Sequence, residues 1–306
     1  MLRAVSGPKV FLDYDQKALD DAYDQAVWAA NRDQVIARFA SASRITRQRL
    51  GDPQRFSYGN SAIEGLDLYR TRKADAPVNV FIHGGAWRAG LARDYAFPAE
   101  TLVAAGSHFA AVDFNNVIET RGDLAVMADQ VTRAIAWVID NARQLGADPS
   151  RVYVSATSSG AHLGGVAATR GLAVRGYVLA SGMYDLRGPR LSKRSSYVAF
   201  TDSIEDALSP QRHLSRISAP IVLAYGTLET PEFQRQSRDF AAALTRSGNA
   251  VELIAAEGYN HFELTETLGN PHGPLGRAVL EQMGLIQPAE GGPLAAAGAA
   301  PRRAGG

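Results

Sequence analysis

The amino-acid sequence predicts an α/β protein built on a mostly parallel, eight-stranded sheet with helices on both faces. Short runs rich in Val, Ile, Leu, Ala and Phe alternate with longer amphipathic segments after residue 51, as strands joined by helices do. From the third run onward the predicted strands are almost continuously apolar, which is typical of strands buried on both faces. A chain of 306 residues is long for one domain but within the range of single α/β domains.

A helical N-terminal extension, residues 1–50, precedes this alternation. From 15 to 50 the sequence contains neither Pro nor Gly, and its apolar residues recur at helical spacing, which predicts two helices broken near Asn31. The α/β domain itself is predicted over 51–286.

Eight predicted strands follow one another along this domain. They lie near residues 56 and 66 and at 78–83, 107–114, 151–156, 176–181, 220–226 and 250–256. Two of the helices between them are well delimited, at 123–146 and 232–247, because Gly146 and Gly248 supply left-handed helix ends.

Two segments depart from the alternation. Residues 187–218 are irregular and polar, and a long insertion between sheet strands indicates a cap-like element, with a plain surface excursion as the alternative. Residues 287–306 are rich in Ala, Gly and Pro without periodicity, which predicts a disordered tail.

Composition argues against several classes of function. The formal net charge is +1 and basic residues form no long stripe, which disfavours a nucleic-acid partner. The chain has no cysteine, which removes thiol nucleophiles and thiolate metal sites. No apolar run reaches the length of a signal-peptide core or a membrane helix. We therefore expect a cytoplasmic protein that acts on a small molecule without a membrane partner or a cofactor, while homodimerisation stays open.

A candidate nucleophile lies in "RVYVSATSSGAHLGG", residues 151–165, where a predicted strand runs into a helix through a hydroxyl-rich turn. A nucleophile on such a sharp turn needs small residues two positions before and two after it. Ser158 has both, Ala156 and Gly160, whereas neighbouring Ser155, Thr157 and Ser159 are less well flanked. The turn alone is also compatible with a polar helix N-cap, so the other parts of the site must decide.

The stretch "HGGAW", residues 83–87, follows the third predicted strand and supplies a candidate oxyanion hole. Gly84 and Gly85 free the backbone to turn their N–H groups toward the nucleophile, and the N–H of Ser159 completes the set. A glycine-rich turn without function is the alternative for this stretch taken alone.

The general base and its acidic partner are expected after the last two strands. Of six histidines, His261 in "GYNHF" directly follows the eighth strand, while His272 in a turn is the strongest competitor. Glu229 follows the seventh strand, and Glu232 is the second choice because it opens the next helix. The chain order Ser158, Glu229, His261 is the order of the α/β-hydrolase fold.

These motifs resemble those of the kynurenine formamidase-like and hormone-sensitive-lipase-like group of α/β-hydrolases, and the resemblance extends to about residue 285. "HGGAW" resembles its oxyanion motif and "SSGAHL" its nucleophile turn, while "SGMYDL", "ALSP", "YGTLETPEFQRQS" and "GYNHF" resemble later blocks. "LDDAYDQAVWAANRDQV" resembles its helical lead-in, which implies that the N-terminal extension forms part of the pocket entrance. Trp87 matches the motif's tryptophan, which implies either substrate contact or packing.

One departure from the group lies beside the candidate nucleophile. Ala156 and Thr157 stand where members usually have Gly and His, so the resemblance supports the hydrolase mechanism more strongly than N-formylkynurenine as substrate. The expected function is hydrolysis of a small carboxylic ester or non-peptide amide, such as an aryl formamide, through an acyl-enzyme.

The sequence is also compatible with other functions. Carbamates, lactams or lactones could be cleaved by the same three residues. A non-catalytic binding protein on this fold is a further alternative. A metal hydrolase through His261 and Glu263 is disfavoured because the sequence lacks the spacing of known metal motifs.

Overall fold

Eight strands form one sheet in the order β1-β2-β4-β3-β5-β6-β7-β8 in a computed structural model, which describes residues 7–287. The strands are β1 (Gln54–Ser57), β2 (Gly65–Tyr69), β3 (Ala76–Ile82), β4 (His108–Val112), β5 (Ala147–Thr157), β6 (Gly176–Ala180), β7 (Ile221–Gly226) and β8 (Val251–Ala256). β2 is antiparallel to both β1 and β4, and all the other pairs are parallel. The predicted fold class is confirmed.

Helices cover both faces of the sheet. They are α1 (Gln16–Ala22), α2 (Arg32–Leu50), α3 (Ala99–Ala105), α4 (Leu124–Asn141), α5 (Ser159–Ala168), α6 (Arg187–Leu191), α7 (Asp202–Ala207), α8 (Pro231–Arg246), α9 (His261–Glu266) and α10 (Pro274–Gln282). Successive side chains of a strand point to opposite faces, so β3 places Val80 and Ile82 in one apolar core and Phe81 in the other.

All eight predicted strands are present, with shifted ends. The helix predicted over 123–146 is shorter, because α4 stops at Asn141 and a turn over 142–146 follows. Gly146 adopts a φ of 76°, and the N–H of Ala147 bonds the carbonyl of Ala142, which closes the turn and delivers the chain into β5. The prediction for α8 is confirmed within a residue at each end.

The N-terminal helices lie on opposite faces of the sheet. Leu19 of α1 belongs to the core that contains β3 Ile82, whereas Val35 and Phe39 of α2 belong to the other core. Between them, Gln25 hydrogen-bonds a residue that follows β7, and Asn31 hydrogen-bonds a residue that follows β8. The connection between α1 and α2 therefore crosses the carboxyl edge of the sheet, where parallel α/β proteins place their sites.

Residues 187–218 form α6, α7 and three short 3₁₀ turns between β6 and β7. Buried Glu205 ties this insertion together by pairing with Arg190 and Arg212. The predicted tail, 287–306, lies outside the described residues except for Gln287. Within 7–287, no helix combines the length and the apolarity needed to cross a membrane.

Candidate active site

Ser158 lies at the junction between β5 and α5, as the sequence predicts. Its backbone has φ 57° and ψ −129°, a conformation that is costly for a residue with a side chain and that is typical of functional turns. A Cβ atom on Gly160 would come within 2.3 Å of the carbonyl oxygens of Ile82 and His83. Only glycine fits there, which gives the physical reason for the small residue two positions after Ser158.

A hydrogen-bond chain connects the three residues predicted to form the site. The distance from Ser158 Oγ to His261 Nε2 is 2.8 Å, and the distance from His261 Nδ1 to Glu229 Oε2 is also 2.8 Å. The carboxylate fixes the proton on Nδ1, so Nε2 is left as the acceptor for the Ser158 hydroxyl proton. His261 is 5% exposed and Glu229 1% exposed, so water has little access to the carboxylate end of this chain.

Glu229 is held by four donors from different parts of the chain. Its Oε1 accepts from the Ser181 hydroxyl at 2.5 Å and from the Gly226 N–H at 2.7 Å. Its Oε2 accepts from His261 and from Gln25 Nε2, the latter at 3.1 Å. A carboxylate with all of these donors has one orientation, and that orientation points Oε2 at the imidazole.

His261 is the first residue of α9, and that helix start is fixed by a capping box. The side chain of Asn260 accepts from the N–H of Glu263, and the Glu263 carboxylate accepts from the N–H of Asn260. Asn31 joins this box, because it donates to Glu263 at 2.6 Å and accepts from Asn260 Nδ2 at 2.8 Å. The start of α2 thus buttresses the helix that carries His261.

The backbone of "HGGAW" lies against Ser158. A Cβ atom on Gly84 would meet Ser158 Cβ at 2.8 Å, and one on Gly85 would meet the Ala89 carbonyl oxygen at 1.9 Å. Among residues 7–287, the N–H groups of Gly84, Gly85 and Ser159 have no hydrogen-bond acceptor. Three unpaired donors close to a hydroxyl are the arrangement that an oxyanion hole requires.

Trp87 anchors this loop rather than standing open to solvent, since it is only 2% exposed. Its backbone N–H donates to Ser159 Oγ at 3.1 Å, and its indole N–H donates to His162 Nδ1 at 3.2 Å. His162 Nε2 in turn donates to the Leu208 carbonyl at 2.8 Å. Burial lowers the pKa of His162 to about 4, so the ring is neutral and Nδ1 is free to accept. The expectation of substrate contact for Trp87 stays a prediction.

The competing candidates lie elsewhere. Glu232 accepts from the Tyr23 hydroxyl at 2.8 Å and pairs with Arg235, so it serves α8 and α1 rather than His261. His272 is exposed in a turn. Glu263, which a metal hydrolase would need, is bonded to Asn31 and Asn260. Within the described part of the chain, no group of three His, Cys, Asp or Glu side chains is arranged to hold a metal ion.

Three residues that support the site are not among those predicted from the sequence. Ser181 lies directly after β6 with a φ of 56°, and its signals in the sequence are its position at the end of a predicted strand and at the start of the block "SGMYDL". Gln25 and Asn31 lie in the segment whose resemblance implies a place at the pocket entrance, but nothing singles out these two residues, because their contacts depend on how the segment crosses the sheet.

The fold and the hydrogen-bonded Ser–His–Glu chain at its carboxyl edge define a hydrolase of the α/β-hydrolase type. Comparison with known proteins agrees. The family model described as BD-FAE matches residues 66–181. Among solved structures, a putative thioesterase from a Silicibacter species aligns with a TM-score of 0.72 at 22% identity, covering 84% of this chain and 97% of that one. An esterase from Thermogutta terrifontis aligns at 0.63 and 20% identity, covering 79% and 96%.

Curated relatives narrow the class. Kynurenine formamidase of Salmo salar is 30% identical in an alignment of 295 positions that covers 89% of this chain and 98% of the relative. Kynurenine formamidase of Danio rerio is 27% identical, with 87% and 96% covered. An isoprenylcysteine alpha-carbonyl methylesterase of Arabidopsis thaliana is 28% identical over 68% of this chain and 56% of its own length. The chain belongs to the kynurenine formamidase and hormone-sensitive-lipase-like esterase group of α/β-hydrolases.

Proposed function

We propose that Ser158, His261 and Glu229 are the catalytic triad of a serine hydrolase that cleaves small carboxylic esters or non-peptide amides. The observation that carries the proposal is the unbroken hydrogen-bond chain from Ser158 Oγ to the Glu229 carboxylate, with both links at 2.8 Å. The strained turn that holds Ser158 adds support, because a conformation of this cost persists where a function requires it.

The reaction proceeds in two halves. His261 Nε2 takes the hydroxyl proton while Ser158 Oγ attacks the carbonyl carbon, and the resulting imidazolium gives that proton to the departing alcohol or amine. Water then transfers a proton to Nε2 and attacks the acyl-enzyme, and the imidazolium returns that proton to Ser158 Oγ as the bond to the acyl group breaks and the acid leaves. Glu229 keeps the imidazole oriented and stabilises its charge in both halves. A positioned base contributes roughly 10²- to 10⁴-fold to the rate.

The N–H groups of Gly84, Gly85 and Ser159 are the proposed donors to the tetrahedral oxyanion. They are supported by the packing of Gly84 against Ser158, by the adjacency of Gly85 and Ser159 in sequence to these two residues, and by having no acceptor of their own within 7–287. Each such donor is worth about 10²- to 10³-fold in rate, because its strength is used fully only when the negative charge has formed.

An aryl formamide-like amide is the proposed amide substrate, with esters as the alternative that the methylesterase and esterase relatives support. Carbamates, lactams and lactones would need only the same triad. Ala156 and Thr157, which replace the group's usual Gly and His, are both buried beside Ser158. They alter the packing next to the proposed nucleophile.

We assign a role to each part of the chain, and the contacts of Gln25 and Asn31 support the role of the N-terminal extension. Residues 51–286 carry the triad, the N-terminal extension supports it through Gln25 and Asn31, and the insertion 187–218 acts as a cap. The near-neutral charge supports a dissolved small molecule as the substrate, in the cytoplasm, without nucleic acid or membrane.

A comparison of three substrates tests the proposal. The purified protein is assayed side by side on a short-chain aryl ester, an aryl formamide and an aryl carbamate, together with Ser158→Ala and the neighbouring Ser155→Ala. The proposal expects turnover of the ester or the formamide that Ser158→Ala abolishes and Ser155→Ala retains. A rate on the formamide far above that on the ester selects the formamidase activity. Normal turnover by Ser158→Ala would overturn the assignment.

A further inference from the structure

The loop that carries the proposed oxyanion donors is held in a strained conformation. Gly85, Ala86 and Trp87 have φ values of 122°, 56° and 62°. Glycine adopts positive φ freely, but a left-handed residue with a Cβ costs roughly 1–2 kcal/mol. Ala86 and Trp87 therefore pull the loop toward ordinary backbone angles, and that relaxation would turn the N–H groups of the adjacent glycines.

Two side chains from α5 oppose this relaxation, and both act on Trp87. Ser159 Oγ accepts the Trp87 backbone N–H, and His162 Nδ1 accepts its indole N–H. The His162 ring lies edge-on to the indole, with ring centroids 5.2 Å apart. Since α5 starts at Ser159, directly after Ser158, these bonds fix the loop in the frame of the proposed nucleophile.

The face of the Trp87 indole is also occupied. The guanidinium carbon of Arg194 lies 5.4 Å from the indole centroid, and Arg194 donates to the Tyr23 carbonyl at 2.8 Å. His162 reaches the insertion as well, because its Nε2 donates to the Leu208 carbonyl. The indole is thus held between the nucleophile helix and the insertion, and every polar group that holds it is buried.

We propose that His162 and the Ser159 hydroxyl are positioning residues that lock the oxyanion loop through Trp87. The side chains of His162 and Ser159 are not proposed to contact the substrate. Their role is to keep the N–H groups of Gly84 and Gly85 aimed at the developing charge, an inference that rests on the proposed function. Removing the contact of His162 or Ser159 with Trp87 should lower kcat more than it raises KM, because the N–H donors matter most in the transition state.

Two conservative replacements of His162 separate this role from simple packing. In His162→Asn, the side-chain oxygen sits near the position of Nδ1 and can still accept from the Trp87 indole. In His162→Gln, the amide reaches the position of Nε2 and can still donate to Leu208. The proposal expects Asn to keep most of the kcat on an aryl ester and Gln to lose about tenfold. The opposite order would show that the Leu208 bond is what matters and would overturn the proposal.

Trp87→Phe provides the second arm, since it keeps an aromatic ring and removes the indole N–H. A kcat loss close to that of His162→Gln is expected, and the double variant should lose little more, because both remove one bond. Additive losses would contradict the proposed role of His162.

Binding of an aryl boronic acid, which forms a tetrahedral adduct with a serine, should weaken in parallel with kcat in these variants. Unchanged boronate affinity alongside reduced kcat would also contradict it.

The thermal unfolding temperature of each variant is measured, so that a loss of stability can be told from a loss of kcat. Failure of this inference can also be told from failure of the proposed function. If Ser158→Ala is inactive while His162→Gln and Trp87→Phe keep normal kcat, only the lock is wrong. If Ser158→Ala retains turnover, the triad itself is wrong.

Discussion

The two sides of Ser158 are built in different ways. On the acid–base side, side chains hold one another directly, and Glu229 has four donors that include Ser181 and Gln25. On the oxyanion side, the groups that would act are backbone N–H groups with no partner within the described residues, and their loop is strained. Backbone hydrogen bonds to the carbonyls of Gly85 and Trp87, the side-chain contacts of Trp87 and the close packing of the glycines restrain it.

The difference follows from what each side must do. In the proposed reaction, proton transfer to Nε2 leaves the bond between His261 Nδ1 and Glu229 and the other donors to Glu229 in place, so these groups can be paired in the resting protein. Donors of an oxyanion hole must stay unpaired until charge develops, so nothing can bond them directly. The position of these N–H groups has to be fixed indirectly, by groups that hold the rest of the loop.

The largest effect is expected on the acid–base side, from Glu229→Gln. The amide cannot stabilise the imidazolium and offers an N–H where Nδ1 needs an acceptor, so ester turnover should fall by roughly 10³- to 10⁴-fold. Glu232→Gln is the matched control, because its carboxylate bonds Tyr23 and Arg235 rather than His261. Steady-state rates of both variants show which glutamate partners His261. A greater loss for Glu232→Gln would reverse the assignment of the acid.

A smaller loss is expected where the N-terminal extension meets the acid. Gln25→Leu removes one of the four donors to Glu229, and a lost hydrogen bond of about 1–1.5 kcal/mol corresponds to roughly a five- to tenfold fall in kcat. Gln16→Leu is the matched control, since Gln16 is exposed and bonds the Leu191 carbonyl. Equal rates for Gln25→Leu and the unaltered protein would mean that the extension does not support the acid.

Acid pH should lower the free energy of unfolding through His162. Burial lowers the pKa of His162 from 6.5 to about 4, so the unfolded chain takes up a proton at higher pH than the folded one. The stability that His162 contributes is therefore full above pH 6.5 and is lost as pH falls toward 4, by about 3 kcal/mol in total. Denaturant unfolding from pH 7 to 4 should show a shallower decline for His162→Gln. Identical slopes would contradict the lowered pKa.

Much of the fold could be predicted because its signals are local. Apolar runs such as those at β3 and β7 differ clearly from the amphipathic stretches between them. Ser158, Glu229 and His261 could be found because parallel strands bring their carboxyl ends to one edge, so each residue only had to follow its strand. The error at α4 arose because Gly146 ends a closing turn that is no longer helical.

The supporting residues could not be predicted, since they depend on three-dimensional paths. Gln25 contacts Glu229 across 204 positions of sequence, and Asn31 contacts Glu263 across 232. Nothing in the N-terminal pattern indicates that its two helices pack on opposite faces of the sheet. The anchoring of Trp87 by His162 likewise follows from side-chain orientations that a motif does not encode.

The central claim, that Ser158 is the nucleophile activated by His261, is tested most directly by covalent labelling. The protein is treated with a fluorophosphonate, and the modified peptide and residue are identified by mass spectrometry. We expect one adduct per chain, on Ser158, which is absent in Ser158→Ala and forms far more slowly in His261→Ala. An adduct on Ser155 or Ser159, or full labelling of Ser158→Ala, would contradict it.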